Sequence, residues 1–238
     1  MKLSRKQYWQ ENFKIQPVNI TLVIVLVAIF IWEMLVSYSP TISVNVLYHA
    51  GAQYGPAILE QHQWWRLLAA GFLHITPTHL IFNLVVLYFI GKLLEWQIGH
   101  VRFACLFFGA VLIGNLASLA FGDMRGISAG ASGGIYGLFG AVIGIGILDR
   151  FHDFWKREAT TIGILVVISF LMSFTRDGVD VYAHLGGIMM GLIASPLLIS
   201  SRCQTGSFKV TWWGKSMSAI GVLLLAGGLL YIALQRGV

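Results

Sequence analysis

Ser132 and His184 are the residues whose types and surroundings point most directly to chemistry. Ser132 lies in Gly130-Ala131-Ser132-Gly133-Gly134-Ile135-Tyr136-Gly137, and His184 lies in Val179-Asp180-Val181-Tyr182-Ala183-His184-Leu185-Gly186-Gly187. A serine hydroxyl is a weak nucleophile until a neighbouring base, most often histidine, takes its proton across about 3 Å. The same imidazole can then return that proton to a leaving amine. Attack on an amide also needs donors where the oxyanion develops. His79 and Asn83 are spaced to share one face of a helix, so both side chains can reach one point, and the Ser132 N–H is a further donor. Tyr136, one turn after Ser132, can hold an imidazole by packing. Asp180, one turn before His184, is the nearby carboxylate, but its expected place in a loop leaves it outside the set.

Each feature has a plainer alternative. Small residues recur at Gly133, Gly137 and Ala141 and again at Ala183, Gly187, Gly191 and Ser195, a spacing that by itself only lets two membrane helices approach closely. Histidines in such helices commonly serve as hydrogen-bond partners between helices. The alternatives weaken because the two stripes carry Ser132 and His184 at corresponding ends, so if the stripes meet, the hydroxyl and the imidazole meet as well.

Composition says what kind of element must position these groups. Of 238 residues, 11% are charged and 57% hydrophobic, and the mean hydropathy is +0.75. Soluble domains carry charge at about a quarter of positions, so this composition indicates a membrane protein. Residues 67–91, 103–122, 126–148, 159–175, 181–201 and 216–235 contain no Asp, Glu, Lys or Arg, and 18–37 contains only Glu33. A crossing needs about 20 mostly apolar residues, so seven spans are predicted, the fifth being the shortest. Residues 34–59 are also uncharged but contain Pro40, Gly51, Gly55 and Pro56, and broken backbone is poorly satisfied in lipid. That stretch is read as an interfacial loop.

The net charge of +6 is explained by orientation rather than by nucleic acid. With the N-terminus inside, Lys2, Arg5, Lys6, Lys14, Lys92, Arg102, Arg150, Lys156, Arg157, Arg202, Lys209 and Lys215 face the cytoplasm. Arg66, Arg125, Arg176 and Arg236 face outward, a split of twelve to four that follows the positive-inside rule. The C-terminus then lies outside. The second, fourth and sixth spans all run inward, so His74, His79, Asn83, Ser128, Ser132, Tyr136 and His184 converge on one layer within about two helical turns of the outer surface. Cys105 and Cys203 both fall on the inner side, which disfavours a structural disulfide. The first 17 residues show no signal-peptide pattern.

Taken together these segments resemble the rhomboid family of intramembrane serine proteases. The similarity runs from about Trp64 to Gly187 and rests on Trp64-Trp65-Arg66, His74, His79-Leu80-Ile81-Phe82-Asn83, Glu95, Gly130-Ala131-Ser132-Gly133 with Tyr136, and the segment around His184. The resemblance implies a Ser132–His184 dyad with no acidic third member. It implies an oxyanion site drawing on His79, Asn83 and the Ser132 amide, and cleavage in or near transmembrane segments of membrane proteins. It also implies that Trp65, Arg66 and Glu95 support the first loop and its junction with the second helix, and that Gly130 and Tyr136 support the catalytic groups.

The expected fold is therefore an all-α polytopic membrane protein: a cytoplasmic tail (1–17), a rhomboid-like six-helix core (18–201), and an inner loop with a seventh transmembrane helix (202–238). The expected partners are transmembrane substrates and the lipid bilayer, with no nucleic acid, metal or cofactor, and the expected location is a bacterial plasma membrane. The loop at 38–66 and the fifth helix are candidates for the lateral boundary of the site. A transporter or channel would call for paired ionisable residues in mid-span and an internal repeat, and neither is visible. A non-catalytic rhomboid-like helix-binding protein would call for a missing catalytic residue, and none is missing.

Overall fold

The computed structural model describes residues 14–149, 153–173, 178–199 and 210–237. Most of the expected N-terminal tail, Cys203, and the cations Arg150, Arg176, Arg202 and Lys209 lie outside the described residues. Within them, seven long helices follow in order: α1 (Pro17–Ser37), α2 (Pro77–Ile98), α3 (His100–Phe121), α4 (Ser132–Leu148), α5 (Asp153–Ser173), α6 (Val181–Leu198) and α7 (Trp212–Gln235). Five of these, α1, α2, α3, α6 and α7, are long and apolar enough to cross a membrane.

Helix ends depart from the uncharged runs in three places, each for a local reason. α2 begins at Pro77 rather than near residue 67. Pro77 occupies the first helical turn and the Thr76 hydroxyl accepts from the His79 N–H at 3.2 Å, a strong start signal. Residues before it form a short helix, Arg66–Ala69, and a 3₁₀ turn, Ala70–Phe72. His74 therefore precedes α2 instead of lying in it. α4 begins at Ser132, so Ser128 lies in an extended segment, where it pairs with Gln53 in an isolated antiparallel bridge. Finally, α5 is not the shortest helix. It has 21 residues because Asp153, Lys156, Arg157 and Glu158 continue the helix beyond its apolar part, whereas α4 has 17.

The centre of the bundle is α4 against α6. A Cβ placed on Gly191 would lie 2.0 Å from the Gly137 carbonyl oxygen, one on Gly187 2.2 Å from the Gly133 oxygen, and one on Gly140 2.2 Å from the Ile188 oxygen. The two small-residue stripes thus meet backbone to backbone. α3 closes the third side, with Gly186 against the Ile113 carbonyl and Gly137 against Ala110. α5 packs on α4, α1 packs on α2, and α7 packs on α3 and α6. At its C-terminal end α7 contributes Arg236, which donates to the Leu119 and Gly122 carbonyls at the end of α3.

The first loop is pinned by Arg66. Its guanidinium donates to the Tyr48 and Ala52 carbonyls at 2.7 and 2.9 Å and to Gln63 Oε1 at 2.6 Å. It also sits over the rings of Tyr48 and Trp65. A buried cation is tolerated when its donors are satisfied in this way. Glu95 differs from its expected role at the first loop. It lies near the opposite end of α2, where it accepts from the Val18 and Asn19 N–H groups at 2.9 and 2.7 Å and contacts His100 Nδ1 at 2.7 Å. Its work is to cap the start of α1, where unsatisfied amides and the positive end of the helix dipole favour a carboxylate.

The close approach predicts an asymmetric tolerance of added methyl groups. Gly191→Ala should destabilise the protein by about 1–3 kcal/mol through overpacking. Gly227→Ala in α7, with nothing within 4 Å of the new methyl, should leave the unfolding midpoint in detergent unchanged or slightly raised. Equal midpoints for the two variants would contradict backbone contact between α4 and α6.

Candidate active site

Ser132 is the first residue of α4 and His184 lies in the first turn of α6. Because the two helices touch along their glycine faces, these first turns are adjacent. His184 Nε2 lies 2.9 Å from Ser132 Oγ. The imidazole is buried, at 7% exposure, and stacks on Tyr136 with ring centroids 3.9 Å apart and planes 11° from parallel. Phe170 of α5 meets the imidazole edge-on at 6.4 Å, and the Tyr136 hydroxyl is bonded to Ser169 Oγ. The ring is held between helices by aromatic packing.

Among the described residues no acidic group is hydrogen-bonded to that ring. Nδ1 of His184 has no hydrogen-bond partner among the described residues, and the Asp180 carboxylate is occupied elsewhere. If Nε2 is to accept the serine proton, Nδ1 must carry the proton of the neutral ring.

The candidate oxyanion groups lie beside the segment that leads into Ser132. Gly130 has φ +149, and a Cβ there would lie 2.7 Å from His79 Cε1. Glycine at this position thus serves both the backbone conformation and the approach of the His79 ring to the residues before Ser132. The Gly130 N–H donates to the Ala70 carbonyl at 2.9 Å, fastening this segment to the 3₁₀ turn of the first loop. As the first helical residue, Ser132 has a backbone N–H with no acceptor within the helix, the kind of donor that attracts developing negative charge.

Asn83 is buried at 8% exposure and its Nδ2 lies 2.9 Å from His74 Nε2. Full burial, with His79 beside it, pushes the His74 imidazole below its ordinary titration range, so a neutral ring accepts from the Asn83 amide. The His74 N–H in turn donates to Glu33 Oε2 of α1 at 3.3 Å. His74 and His79 meet edge-on with centroids 5.0 Å apart.

The structure thus brings Ser132, His184, Tyr136, Gly130, His79 and Asn83 to one end of the bundle. Trp65 and Arg66 lie in the neighbouring first loop, and Glu95 lies elsewhere. Ser169 and Phe170 escaped the sequence reading. Nothing in their spacing separates them from other residues of an apolar helix, and only the packing of α5 on α4 reveals them. Among the described residues no group of three or more His, Cys, Asp or Glu side chains is arranged to hold a metal ion.

Comparison with known proteins converges on one family. The rhomboid domain model matches residues 61–201. The chain is 33% identical over 180 residues to Rhomboid protease GluP of Bacillus subtilis (strain 168), covering 75% of this chain and 34% of that one. It is 31% identical over 140 residues to Putative rhomboid protease YdcA of the same organism, covering 59% of this chain and 70% of that one. Rhomboid-like protease 1 of Toxoplasma gondii is 32% identical over 187 residues, 76% of this chain and 61% of that one. The matched region therefore spans about a third of the length of GluP and rather more of the other two. With its apolar helices and this domain covering more than half its length, the chain is a multi-pass membrane protein that belongs to the rhomboid family.

Proposed function

We propose that the protein is an intramembrane serine endopeptidase that cleaves peptide bonds in or near the transmembrane segments of membrane proteins through a Ser132–His184 dyad. The observation that carries this reading is the 2.9 Å approach of His184 Nε2 to Ser132 Oγ at the edge of a buried, helix-terminal site.

In this mechanism Ser132 Oγ attacks the scissile carbonyl carbon while its proton passes to His184 Nε2. The Ser132 N–H, His79 and Asn83 supply donors to the oxyanion. Collapse of the tetrahedral intermediate breaks the C–N bond, and the imidazolium gives its proton to the leaving amine. Water, activated by the same imidazole, then hydrolyses the Ser132 ester and restores the hydroxyl. Stacking on Tyr136 fills the orienting role that a carboxylate plays in three-residue sites.

A transmembrane helix already satisfies its own backbone hydrogen bonds, so a substrate must unwind locally before attack. Segments with glycine, proline or other weak helix formers near the site end of the bundle are the favoured targets. The loop at 38–66 and α5 are the proposed lateral boundary through which such a segment reaches the site. The six-helix core at 18–201 carries the chemistry and the segment 202–238 adds α7. The proposed topology has seven spans, with the N-terminus in the cytoplasm and the site near the outer face. A bacterial plasma membrane is the proposed location, in keeping with the two Bacillus relatives.

The test is cleavage of a model transmembrane substrate in detergent or liposomes, paired with fluorophosphonate labelling. Ser132→Ala should abolish both cleavage and labelling, and His184→Ala should abolish cleavage. Continued cleavage by Ser132→Ala would remove the nucleophile assignment, and no cleavage or labelling by the wild type would favour a non-catalytic helix-binding role.

Asn83→Ala should lower kcat by about two to three orders of magnitude, the effect of losing one oxyanion donor, while still labelling at Ser132. A wild-type kcat in this variant would exclude Asn83 from the oxyanion site.

A further inference from the structure

Asp180 is a half-buried carboxylate that the mechanism above does not use, yet it accepts three hydrogen bonds near the dyad. Its Oδ1 accepts from the Ala183 N–H at 2.9 Å and so caps the start of α6. Its Oδ2 accepts from two hydroxyls, Ser118 of α3 at 2.5 Å and Ser128 of the extended segment before α4 at 2.7 Å. Its own carbonyl accepts from the His184 N–H at 3.2 Å, so the catalytic imidazole hangs from the first hydrogen-bonded turn that Asp180 begins.

Ser128 extends this network in the other direction. Its backbone N–H and carbonyl both pair with Gln53 of the first loop, at 3.1 and 2.9 Å. Two residues later the Gly130 N–H is held by Ala70, and Ser132 follows. One carboxylate therefore joins the base helix, the segment leading into the nucleophile, α3 and, through Ser128, the first loop.

A helix cap needs only one oxygen, and Ser, Asn and Asp serve nearly equally well there. The second oxygen, receiving donors from two other elements, exceeds what capping requires. It does not make Asp180 a third member of the catalytic set either, because His184 Nδ1 has no partner among the described residues.

We propose that Asp180 is a positioning residue for the dyad, whose carboxylate locks the helix carrying His184 to the segment carrying Ser132 and couples both to the first loop through Ser128. This rests on the protease reading above. Displacement of the first loop by a substrate would shift Ser128, and the carboxylate makes the base helix and the nucleophile segment respond together. The dyad separation is then preserved during the motion that admits the substrate. A misplacement of about 1 Å between reacting groups can cost about 100-fold in rate, so loss of the lock should fall on kcat rather than on KM.

The experiment compares Asp180→Ser, Ser128→Ala and the double variant with wild type in steady-state cleavage of one transmembrane substrate, with thermal unfolding and fluorophosphonate labelling measured alongside. Asp180→Ser retains a capping hydroxyl but loses the second oxygen. The expected result is a kcat about 10- to 100-fold lower, with KM and the unfolding midpoint little changed. Ser128→Ala should lower kcat in part, and the double variant should be no worse than Asp180→Ser, because Asp180→Ser already breaks the connection that Ser128→Ala removes. A wild-type kcat in Asp180→Ser, an effect confined to KM, or multiplicative losses in the double variant would overturn the proposal.

If Asp180→Ser does not fold, Ser128→Ala decides alone, because it leaves the cap intact. A lowered kcat supports the lock and an unchanged one refutes it. Failure of the wild type to cleave or to label at Ser132 would instead refute the protease reading, so the two failures are distinguishable.

Discussion

The backbone contact between α4 and α6 is the constraint on which the remaining structure depends. Glycines at 137, 140, 187 and 191 allow carbonyl oxygens of one helix to sit where side chains of the other would ordinarily be. In a bilayer the apolar side chains gain little from one another that lipid does not already provide, so close packing is what holds such helices together. The same contact fixes the relative rotation and depth of the two helices, and therefore the separation of a hydroxyl and an imidazole at their first turns. α3 inserts against both, and α7 reaches across to hold the end of α3.

Buried polarity is arranged with the same economy. Arg66, Glu95, His74 and Asn83 would each be expensive in an apolar interior if left alone. Each is instead given partners: loop carbonyls for Arg66, helix-start amides for Glu95, and one another for His74 and Asn83. Polar groups at the site end of the bundle therefore do double duty. They order a broken loop that could not survive facing lipid, and they tie the segment before Ser132 to that loop. The stacking of His184 on Tyr136 belongs to this pattern, since an aromatic face orients an imidazole without burying another charge.

Much of this organisation was legible in the residues. The scarcity of charge marked the long helices, and the small-residue stripes marked the faces that meet. The spacing of His79 and Asn83, and of Ser132 and Tyr136, gave relative directions because a helix has a fixed period. What misled was the assumption that uncharged means helical. Residues 67–76 and 126–131 are as free of charge as the helices that follow them, yet Thr76-Pro77 starts α2 late and pairing with Gln53 draws Ser128 into an extended segment. Charged residues misled in the opposite sense, since Asp153 to Glu158 lengthen α5 rather than ending it.

By itself the sequence determined the class of solvent, the presence of long apolar helices and which polar residues are candidates for chemistry, because these follow from composition and from periodicity along one chain. Only the tertiary structure decided what each polar group touches. Glu95 was separated from the first loop, Asp180 was turned from a loop residue into a cap with two further donors, and Ser169 and Phe170 were brought to the imidazole. Such contacts join positions far apart in the chain, and their geometry is set by how closely neighbouring backbones can approach, which no local spacing encodes.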